Sequence, residues 1–334
     1  MNAPRGLLLT LLIIALFSMT FAMVPQADDD DAVPDPSLIL DGEEYNDSMG
    51  MTVGIWIINT YDFDYPSGRY VFDFFIYFHW ADSNISTVPW FIMNGYPTTP
   101  ATNELVEKKE TNGTFVEVYR VRAILSYPLE AGNHPFEEVR LPIQVEVTTI
   151  NSSVPLQWFP PESGIDSGFK VQGWKLTGVE YSVEHKQYPY EVESYRASMN
   201  VVIERDLIVA IPQLLVPPIL FCIVSAFSYL MRMDDGSAFG LRFGLNTSML
   251  ISAVLFTVAV QNSVPPTSTI NFYMVFSIGV FIFLASNIMV TVVGYVEFNY
   301  LNHPERLKSI NRYGILASGI ISLLILGMAI YAVM

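Results

Sequence analysis

Four apolar segments, each about as long as a bilayer is thick, occupy the C-terminal part of this 334-residue chain. A helix needs about 20 mostly apolar residues to cross the hydrocarbon core of a membrane, and water-soluble domains rarely carry runs of that kind. The sequence therefore predicts a transmembrane domain over residues 206–334 with four helices. Their expected spans are 207–231, 241–262, 271–297 and 312–334.

The links between these segments predict the orientation of the helices. Arg232 and Arg242 flank the first link, and Arg306, Lys308 and Arg312 lie around the third, whereas the second link, SVPPTST, has no charge. Because basic links stay in the cytoplasm, the first and third links are expected inside and the second outside. The protein is thus expected to be a multi-pass protein of the cell membrane with its N-terminal domain outside.

The first 36 residues predict export followed by a solvated linker. Residues 1–22 combine Arg5, an apolar core and small residues near Ala22, which is the pattern of a cleavable signal peptide. An uncleaved anchor is the alternative, although no charged stop follows the apolar core at once. Residues 23–36 contain the acidic run DDDD and cannot form a core, so they predict a linker.

Residues 37–205 alternate apolar and polar positions in the manner of β-strands. The aromatic and β-branched runs MTVGIWIINTYDF and RYVFDFFIYFHWAD are joined by the turn-forming YPSG, and no convincing helix interrupts the region. Several strands at short spacing predict an all-β, immunoglobulin-like sandwich. Sequons of the N-x-S/T type suit an exported domain. They begin at Asn46, Asn84, Asn112 and Asn151.

The net charge of −16 belongs to this external part, because five acidic and five basic residues balance from Asp206 onward. Such a field repels nucleic acid and concentrates cations, although salt adaptation or solubility would explain it equally well. No enzyme motif is present, the four histidines lack metal-ligand spacing, and Cys222 is the only cysteine. The sequence therefore predicts a non-enzymatic protein without a cofactor or a metal site.

The second apolar segment differs from the others because small and hydroxylated residues recur within it. One residue from each turn gives a helical face that is small and polar at first, then apolar, then polar again. A gated pore needs such a gradient. The alternative is a packing seam, since Gly244, Ser248 and Ser252 are spaced four apart. The face consists of Gly244, Ser248, Ile251, Leu255, Val258 and Asn262.

An exported sandwich followed by four membrane helices resembles the pentameric ligand-gated ion channels, the superfamily of the Cys-loop receptors and their prokaryotic relatives. His134-Pro135-Phe136-Glu137 is similar to the aromatic-Pro-aromatic-Asp signature of that family, and Trp80 with Asp82 is similar to its Trp-x-Asp. Further matches are Arg205 after the last strand, Pro217 in the first helix, and the turn Pro265–Ser268 after the pore helix.

The sequence also departs from the family pattern. The two cysteines that bracket the signature loop in animal receptors are missing, as in prokaryotic members. Gly240 and Leu241 stand at the inner mouth, where cation-selective members usually carry Glu and anion-selective members a Pro-Ala pair. The motif therefore leaves the selectivity open, and the acidic external domain alone favours cations.

The resemblance implies a homopentamer in the lipid bilayer that passes an inorganic ion. In this arrangement, Ile251, Leu255 and Val258 form apolar rings that act as the gate. The alternative is that these residues pack against neighbouring helices. The resemblance also implies a gating interface between sandwich and helices, for which a static ion pair is the alternative interpretation. Its expected residues are Asp62, Asp64, Glu137, Arg205 and Pro265.

The resemblance further implies a ligand site between neighbouring sandwiches. Aromatic side chains there would hold an amine, and protons are an alternative trigger, given the many carboxylates and His134 and His185. Trp158 and Trp174 lie within strand patterns and are expected in the core. The ligand-binding candidates are Trp90, Met93, Tyr181, Tyr188 and Tyr190.

A protein of a different class would share the same topology. In that interpretation, the sandwich binds a partner or a cell-surface component, and the four helices form a non-conducting anchor. The interpretation accounts for the sequons and the membrane segments. It does not account for the signature motif, for the position of Pro217, or for the uncharged gradient along one helix.

Overall fold

The computed structural model describes residues 51–81, 87–96, 101–111, 113–129, 134–147, 156–189, 192–231, 236–266 and 270–333. They form two compact units. The strand unit comprises the described residues of Asp29–Leu129 and Glu138–Arg205, and the helical unit comprises 134–137 and 206–333. The signal peptide and linker predicted for residues 1–36 lie outside the described residues, as do Asp82 and Tyr190.

Ten strands are present in the described part of the strand unit. They are β1 (Met51–Asp64), β2 (Arg69–Trp80), β3 (Trp90–Ile92), β4 (Thr102–Thr111), β5 (Thr114–Ser126), β6 (Glu138–Val147), β7 (Leu156–Trp158), β8 (Gly164–Ile165), β9 (Trp174–Tyr188) and β10 (Val192–Arg205). One sheet has the order β4-β5-β2-β1-β7, with β8 also paired to β1. The other has the order β3-β6-β10-β9. All pairs are antiparallel except those of β7 and β8 with β1.

Alternate residues of both sheets form the buried core of the strand unit. On β2, Phe72, Phe74 and Ile76 are completely buried, and Met199 and Val201 on β10 are buried in the same way. Side chains of a strand point alternately to opposite faces, so this pattern buries one face of each sheet. Each fully buried large apolar side chain contributes roughly 1.5–3 kcal/mol to folding. The predicted β-sandwich is confirmed.

The link between β1 and β2 forms a tight turn, as the sequence YPSG predicts. Tyr65–Ser67 make one 3-10 turn, and Gly68 closes it with a φ of 65°. That left-handed conformation favours glycine, which has no Cβ to clash with the backbone. The turn brings Asp64 beside Arg69, and their side chains form an ion pair of 3.0 Å.

Strand β4 is a strand that the sequence pattern did not predict. Its sequence, TNELVEKKET, is polar except for Leu105 and Val106, and all of its described side chains are exposed. It forms an edge that pairs only with β5 among the described strands. Charged residues are common on such edges because they discourage further pairing, so the hydrophobic pattern on which strand prediction depends is missing.

The helical unit contains five α-helices within its described residues. They are α1 (Leu207–Leu214), α2 (Val216–Phe227), α3 (Gly236–Gln261), α4 (Phe272–Asn299) and α5 (Leu307–Val333). Three helical stretches are long and apolar enough to span a membrane: 207–230, which includes α1 and α2, then α3, then α4. The structure is consistent with association with a membrane.

The first apolar segment is interrupted at Leu215, between α1 and α2. Pro217 and Pro218 follow at once, and proline has no backbone N–H to continue the hydrogen-bond ladder. The second segment begins its helix at Gly236, earlier than predicted, so Gly240 and Leu241 lie inside α3. The break at Leu215 thus comes from backbone hydrogen bonding rather than from hydrophobicity.

Apolar contacts join the later helices of this unit. One cluster combines α2, α3 and α4 with Ile321 and Ile325 of α5 packed against it. Its buried members are Ala226, Ala253, Val280, Phe283 and Leu284. A second cluster gathers Ile211, Leu215 and Phe272, with Phe136 against it. Phe136, and with it the motif His134–Glu137, therefore packs against the helices of this unit.

Candidate functional site

The face of α3 predicted to line a pore is exposed along its whole length. Ile251, Leu255 and Val258 are 55%, 65% and 49% exposed. Gly244, Ser248 and Asn262 are exposed as well, and a Cβ added to Gly244 would meet no atom within 4 Å. Within the described chain, Gly244 and Ser248 thus do not pack against another helix. This face is free for contact with water, lipid or other copies.

The exposed faces of α4 and α5 provide a comparison. On α4 they consist of apolar side chains such as Ile278, Ile282 and Met289, and on α5 of side chains such as Leu316 and Ile320. These faces match the hydrocarbon of a bilayer over most of their length. The face of α3 differs, because a glycine and a serine stand in its first half and Asn262 follows its last turn.

The opposite face of α3 carries a buried polar cluster that we call the polar network. Arg242 is completely buried. Its Nε donates to Thr291 Oγ1 at 3.0 Å and its Nη1 to Asn311 Oδ1 at 3.1 Å. The guanidinium also lies 4.8 Å from the centre of the Tyr229 ring. No carboxylate of the described residues pairs with it, and Nη2 has no hydrogen-bond partner among them.

Asn246 lies one turn after Arg242 and extends the polar network toward α2. Its Oδ1 accepts from Ser225 Oγ at 2.7 Å, and its Nδ2 donates to Ser228 Oγ at 3.1 Å. Nδ2 also approaches Thr291 Oγ1 at 3.4 Å. Both α3 side chains of the network are therefore held by neutral oxygen atoms of neighbouring helices.

Asn287 of α4 is the centre of the polar network. Its Oδ1 accepts from Tyr229 Oη and from Ser318 Oγ, each at 2.7 Å, and its Nδ2 donates to Ser225 Oγ at 2.7 Å. Asn311 Nδ2 donates to the carbonyl oxygen of Tyr229 at 3.0 Å. The network thus connects α2, the turn that follows it, α3, α4 and α5 through buried hydrogen bonds.

The sequence pattern did not predict the polar network. Arg242 was interpreted only as a charge that flanks a link, and Asn246, Asn287 and Asn311 were given no role. A usable signal was present, because polar side chains inside apolar segments are rare and almost always face other helices. Arg242 and Asn246 are four residues apart, which places them on one face of a helix.

A second candidate site lies on the outer face of the sheet β3-β6-β10-β9. Glu146 is 2% exposed and accepts from Tyr188 Oη at 2.9 Å and from Ser194 Oγ at 2.7 Å. Arg196 donates to it from Nε at 3.2 Å and from Nη2 at 2.9 Å. Burial alone would raise the pKa of Glu146, but the hydrogen bonds from Ser194, Arg196 and Tyr188 outweigh burial and lower it.

The remaining ligand-binding candidates do not join Tyr188. Trp90 pairs with the buried Val147, and its ring lies 5.1 Å from that of Tyr119 and 6.0 Å from that of Phe78. It therefore faces the core.

Tyr181 pairs with the buried Met199 and packs on Trp158, with ring centres 4.9 Å apart. Burial raises its pKa to about 12. Met93 is exposed beside β3, and its backbone N–H donates to Gln144. Among these candidates, Tyr188 is distinguished by the hydrogen bond that its hydroxyl donates to the buried carboxylate of Glu146.

The residues predicted for the gating interface belong to both units. In the strand unit, Arg205 lies 5.0 Å from the ring centre of Tyr65 and 4.5 Å from that of Trp174. Asp62 is exposed, whereas Ser67 Oγ donates to Asp64 at 2.6 Å. The hydrogen bond from Ser67 and the pairing with Arg69 lower the pKa of Asp64.

In the helical unit, Glu137 is 5% exposed, and one of its carboxylate oxygens lies 3.1 Å from His134 Nδ1. The ring of His134 meets that of Tyr273 edge-on, with 6.1 Å between centres, and Phe136 meets Phe272 at 5.1 Å. The signature motif is thus anchored on the first turn of α4. Pro265 is buried after α3.

Comparison of the chain with protein-family models and with curated proteins gives no match. A functional assignment therefore depends on the motifs of the sequence and on the geometry of α3, the polar network and the site around Glu146.

Proposed function

We propose that this protein is an ion channel whose pore is enclosed by the α3 helices of several identical copies. The observation that supports it best is the exposed face of α3, with its change from small and polar to apolar and back to polar. One helix cannot enclose a pore, so copies must associate. The number five comes from the resemblance to the pentameric ligand-gated ion channels, as does α5 as the fourth span of a four-helix bundle.

The gate of the proposed channel is formed by Ile251, Leu255 and Val258. These residues are three or four positions apart on one face, so each adds an apolar ring about one helical turn, or roughly 5 Å, from the next. A narrow apolar constriction excludes ions because water leaves it. The exposure of all three side chains in the single chain is what ring formation requires.

The narrow inner part of the proposed pore lies at Gly244 and Ser248, with Gly240 and Leu241 at the inner mouth and Asn262 at the outer rim. Hydroxyl and backbone oxygens there can replace part of an ion's hydration shell. The proposed preference is for cations, because the acidic charge of the chain lies in the part expected outside. Reversal potentials measured in a salt gradient test it, and a shift toward the chloride potential contradicts it.

The proposed ligand is an amine, with protons as the alternative. Tyr188 offers an aromatic ring whose face attracts a cation, and the neighbouring carboxylate of Glu146, already paired with Arg196, holds its hydroxyl in place. Replacement of Tyr188 by Ala should raise the half-activating amine concentration roughly 2- to 30-fold, the equivalent of one cation–π contact. Tyr188→Phe keeps the ring and should have a smaller effect. An unchanged response in Tyr188→Ala places the amine elsewhere.

The proposed coupling of ligand to gate passes through Asp62, Asp64, Glu137, Arg205 and Pro265. Arg205 ends β10 and α1 begins two residues later, so a displacement of β10 is transmitted to the first helix along the chain itself. An exchange of the charges of Arg205 and Glu137 should alter the gating. If gating is intact in the exchanged variant, these two residues are structural.

The experiment that tests the proposed function uses the purified protein in planar bilayers. Currents are recorded while amines are added and while the pH is changed in steps. The proposal requires discrete single-channel currents. A protein that is well folded, inserted and silent under every condition is instead a membrane-anchored binding protein. Electron microscopy of the same particles tests whether copies form a ring around a fivefold axis.

A further inference from the structure

Apolar packing alone does not fix the rotation of α3 about its own axis. The exposed face carries Ile251, Leu255 and Val258, while the buried face carries Ala253 and Val260. Because both faces are apolar in the second half of the helix, and because hydrophobic contact has no direction, several rotations would bury similar areas. Hydrogen bonds depend on angle and can distinguish between these rotations.

Arg242 and Asn246 make such bonds on the back of the first half of α3. Together they reach Thr291 on α4, Asn311 on α5, and Ser225 and Ser228 around the end of α2. A rotation by one residue, about 100°, would move both side chains away from all four partners. It would leave a buried guanidinium and a buried amide without acceptors, which is unfavourable in a low-dielectric interior.

We infer that Arg242 and Asn246 are positioning residues, which set the rotation of α3 and thereby decide which side chains face the pore. The inference rests on the proposed channel function. A turn of one residue would bring Ser252 and Phe256 to the positions of Ile251 and Leu255. The innermost apolar ring would then become a ring of hydroxyl groups, and the ring above it would change from Leu to the bulkier Phe. The polar network behind the helix thus specifies the gate in front of it, without touching the permeating ion.

The test is the reactivity of single cysteines on α3 toward a charged, water-soluble thiosulfonate, in vesicles that contain the full chain with Cys222→Ala. Ile251→Cys reports on the front face. Ser252→Cys and Thr257→Cys report on the two flanks, because each lies about 100° from a front residue. The parent should react fast at position 251 and slowly at the flanks. Asn246→Leu should slow the reaction of the cysteine at position 251 on the order of tenfold and should speed the reaction at one of the two flanking positions.

Ser318→Ala is the matched control. It removes buried hydrogen bonds of the same network, to Asn287 and Tyr229, and these bonds involve no residue of α3. It should leave the labelling pattern unchanged. The same shift in Ser318→Ala would mean general loosening of the helices and would overturn the inference, as would an unchanged pattern in folded Asn246→Leu.

Arg242→Lys covers the case in which Asn246→Leu does not fold. It keeps the positive charge but replaces a planar group with two separate contacts by a single nitrogen. It should shift the pattern in the same direction, and an unchanged pattern overturns the inference. If Ile251→Cys with an intact polar network reacts no faster than the two flank variants, α3 does not line a pore. Both the proposed function and this inference then fail.

Discussion

The strand unit and the polar network of the helical unit stabilise buried charges in opposite ways. In the strand unit, Asp73 is 1% exposed and forms ion pairs of 2.9 Å with Arg120 and 3.1 Å with Arg122. Glu146 is paired with Arg196 at 2.9 Å. In the helical unit, Arg242 is fully buried, and neutral oxygens alone accept its described hydrogen bonds.

The difference follows from the surroundings that each unit is proposed to have. In water, a guanidinium such as that of Arg120 or Arg122 stays half exposed while it neutralises a buried carboxylate. Among apolar helices, a second charge would add its own desolvation cost, and a set of neutral acceptors avoids that cost. The stability of the strand unit should therefore depend on ionisation, and that of the helical unit on the geometry of hydrogen bonds.

The largest expected effect is that of Arg196→Met. It leaves Glu146 buried without its counter-charge, and removal of one partner from a buried pair costs about 3 kcal/mol. Unfolding in denaturant, followed by tryptophan fluorescence, reports on the strand-rich part because all five tryptophans precede residue 175.

Arg140→Met is the matched control, since the pair of Arg140 with Glu180 is roughly half exposed on both sides. Such surface pairs contribute less than about 1 kcal/mol. If both variants lose the same stability, the buried pair has no special role in the strand unit.

The next effect is a loss of stability of the strand unit in acid. Burial favours a raised pKa for Asp73, but hydrogen bonds from Arg120 and Arg122 outweigh it and hold the pKa below 3.8. The pKa of Glu146 is likewise below 4.5. As the pH falls through this range, the unfolded chain takes up protons first, so the stability from both groups is complete above about pH 5 and declines below about pH 4.

Tryptophan fluorescence and the helical signal in circular dichroism separate the two units in this experiment. The fluorescence transition should move to lower denaturant at pH 3, and less so in Glu146→Gln. The helical transition should move less, because the polar network contains no described carboxylate. A parallel shift of both transitions would show that the two units respond to acid alike.

The smallest expected effect is that of Arg242→Met. The variant loses two hydrogen bonds, but it also removes an unpaired charge from an apolar interior. Interhelical hydrogen bonds in membranes contribute about 0.6 kcal/mol each, so the net change should stay within about 1 kcal/mol. Thermal unfolding followed by the helical signal measures it. A loss as large as that of Arg196→Met would mean that Arg242 has an ionic partner after all.

The sequence predicted those parts of the fold that depend on periodicity. Alternation in MTVGIWIINTYDF and RYVFDFFIYFHWAD predicted β1 and β2, and YPSG predicted their turn. Apolar length predicted the helical stretches, although not the break at Leu215. Strand β4 was not predicted, because a charged edge strand carries no alternating hydrophobic pattern.

The candidate site was predictable only in part. The spacing along α3 predicted the face from Gly244 to Asn262, which is exposed throughout. The polar network was not predicted, since its members come from α2, α3, α4 and α5, and hydrogen bonds between distant residues leave no local spacing. For the same reason, the pairing of Tyr188 with Glu146 could not be predicted from the loop that contains Tyr188.

The central claim, that the exposed face of α3 lines a pore, is tested most directly by a matched pair of variants in planar bilayers. Ile251 and Ile282 are 55% and 53% exposed, on the proposed pore face of α3 and on the apolar face of α4. Ile251→Ser should give current without ligand, or open at lower ligand concentration, because a hydroxyl keeps the constriction wet. Ile282→Ser should conduct like the parent. Equal behaviour of the two variants would contradict the claim.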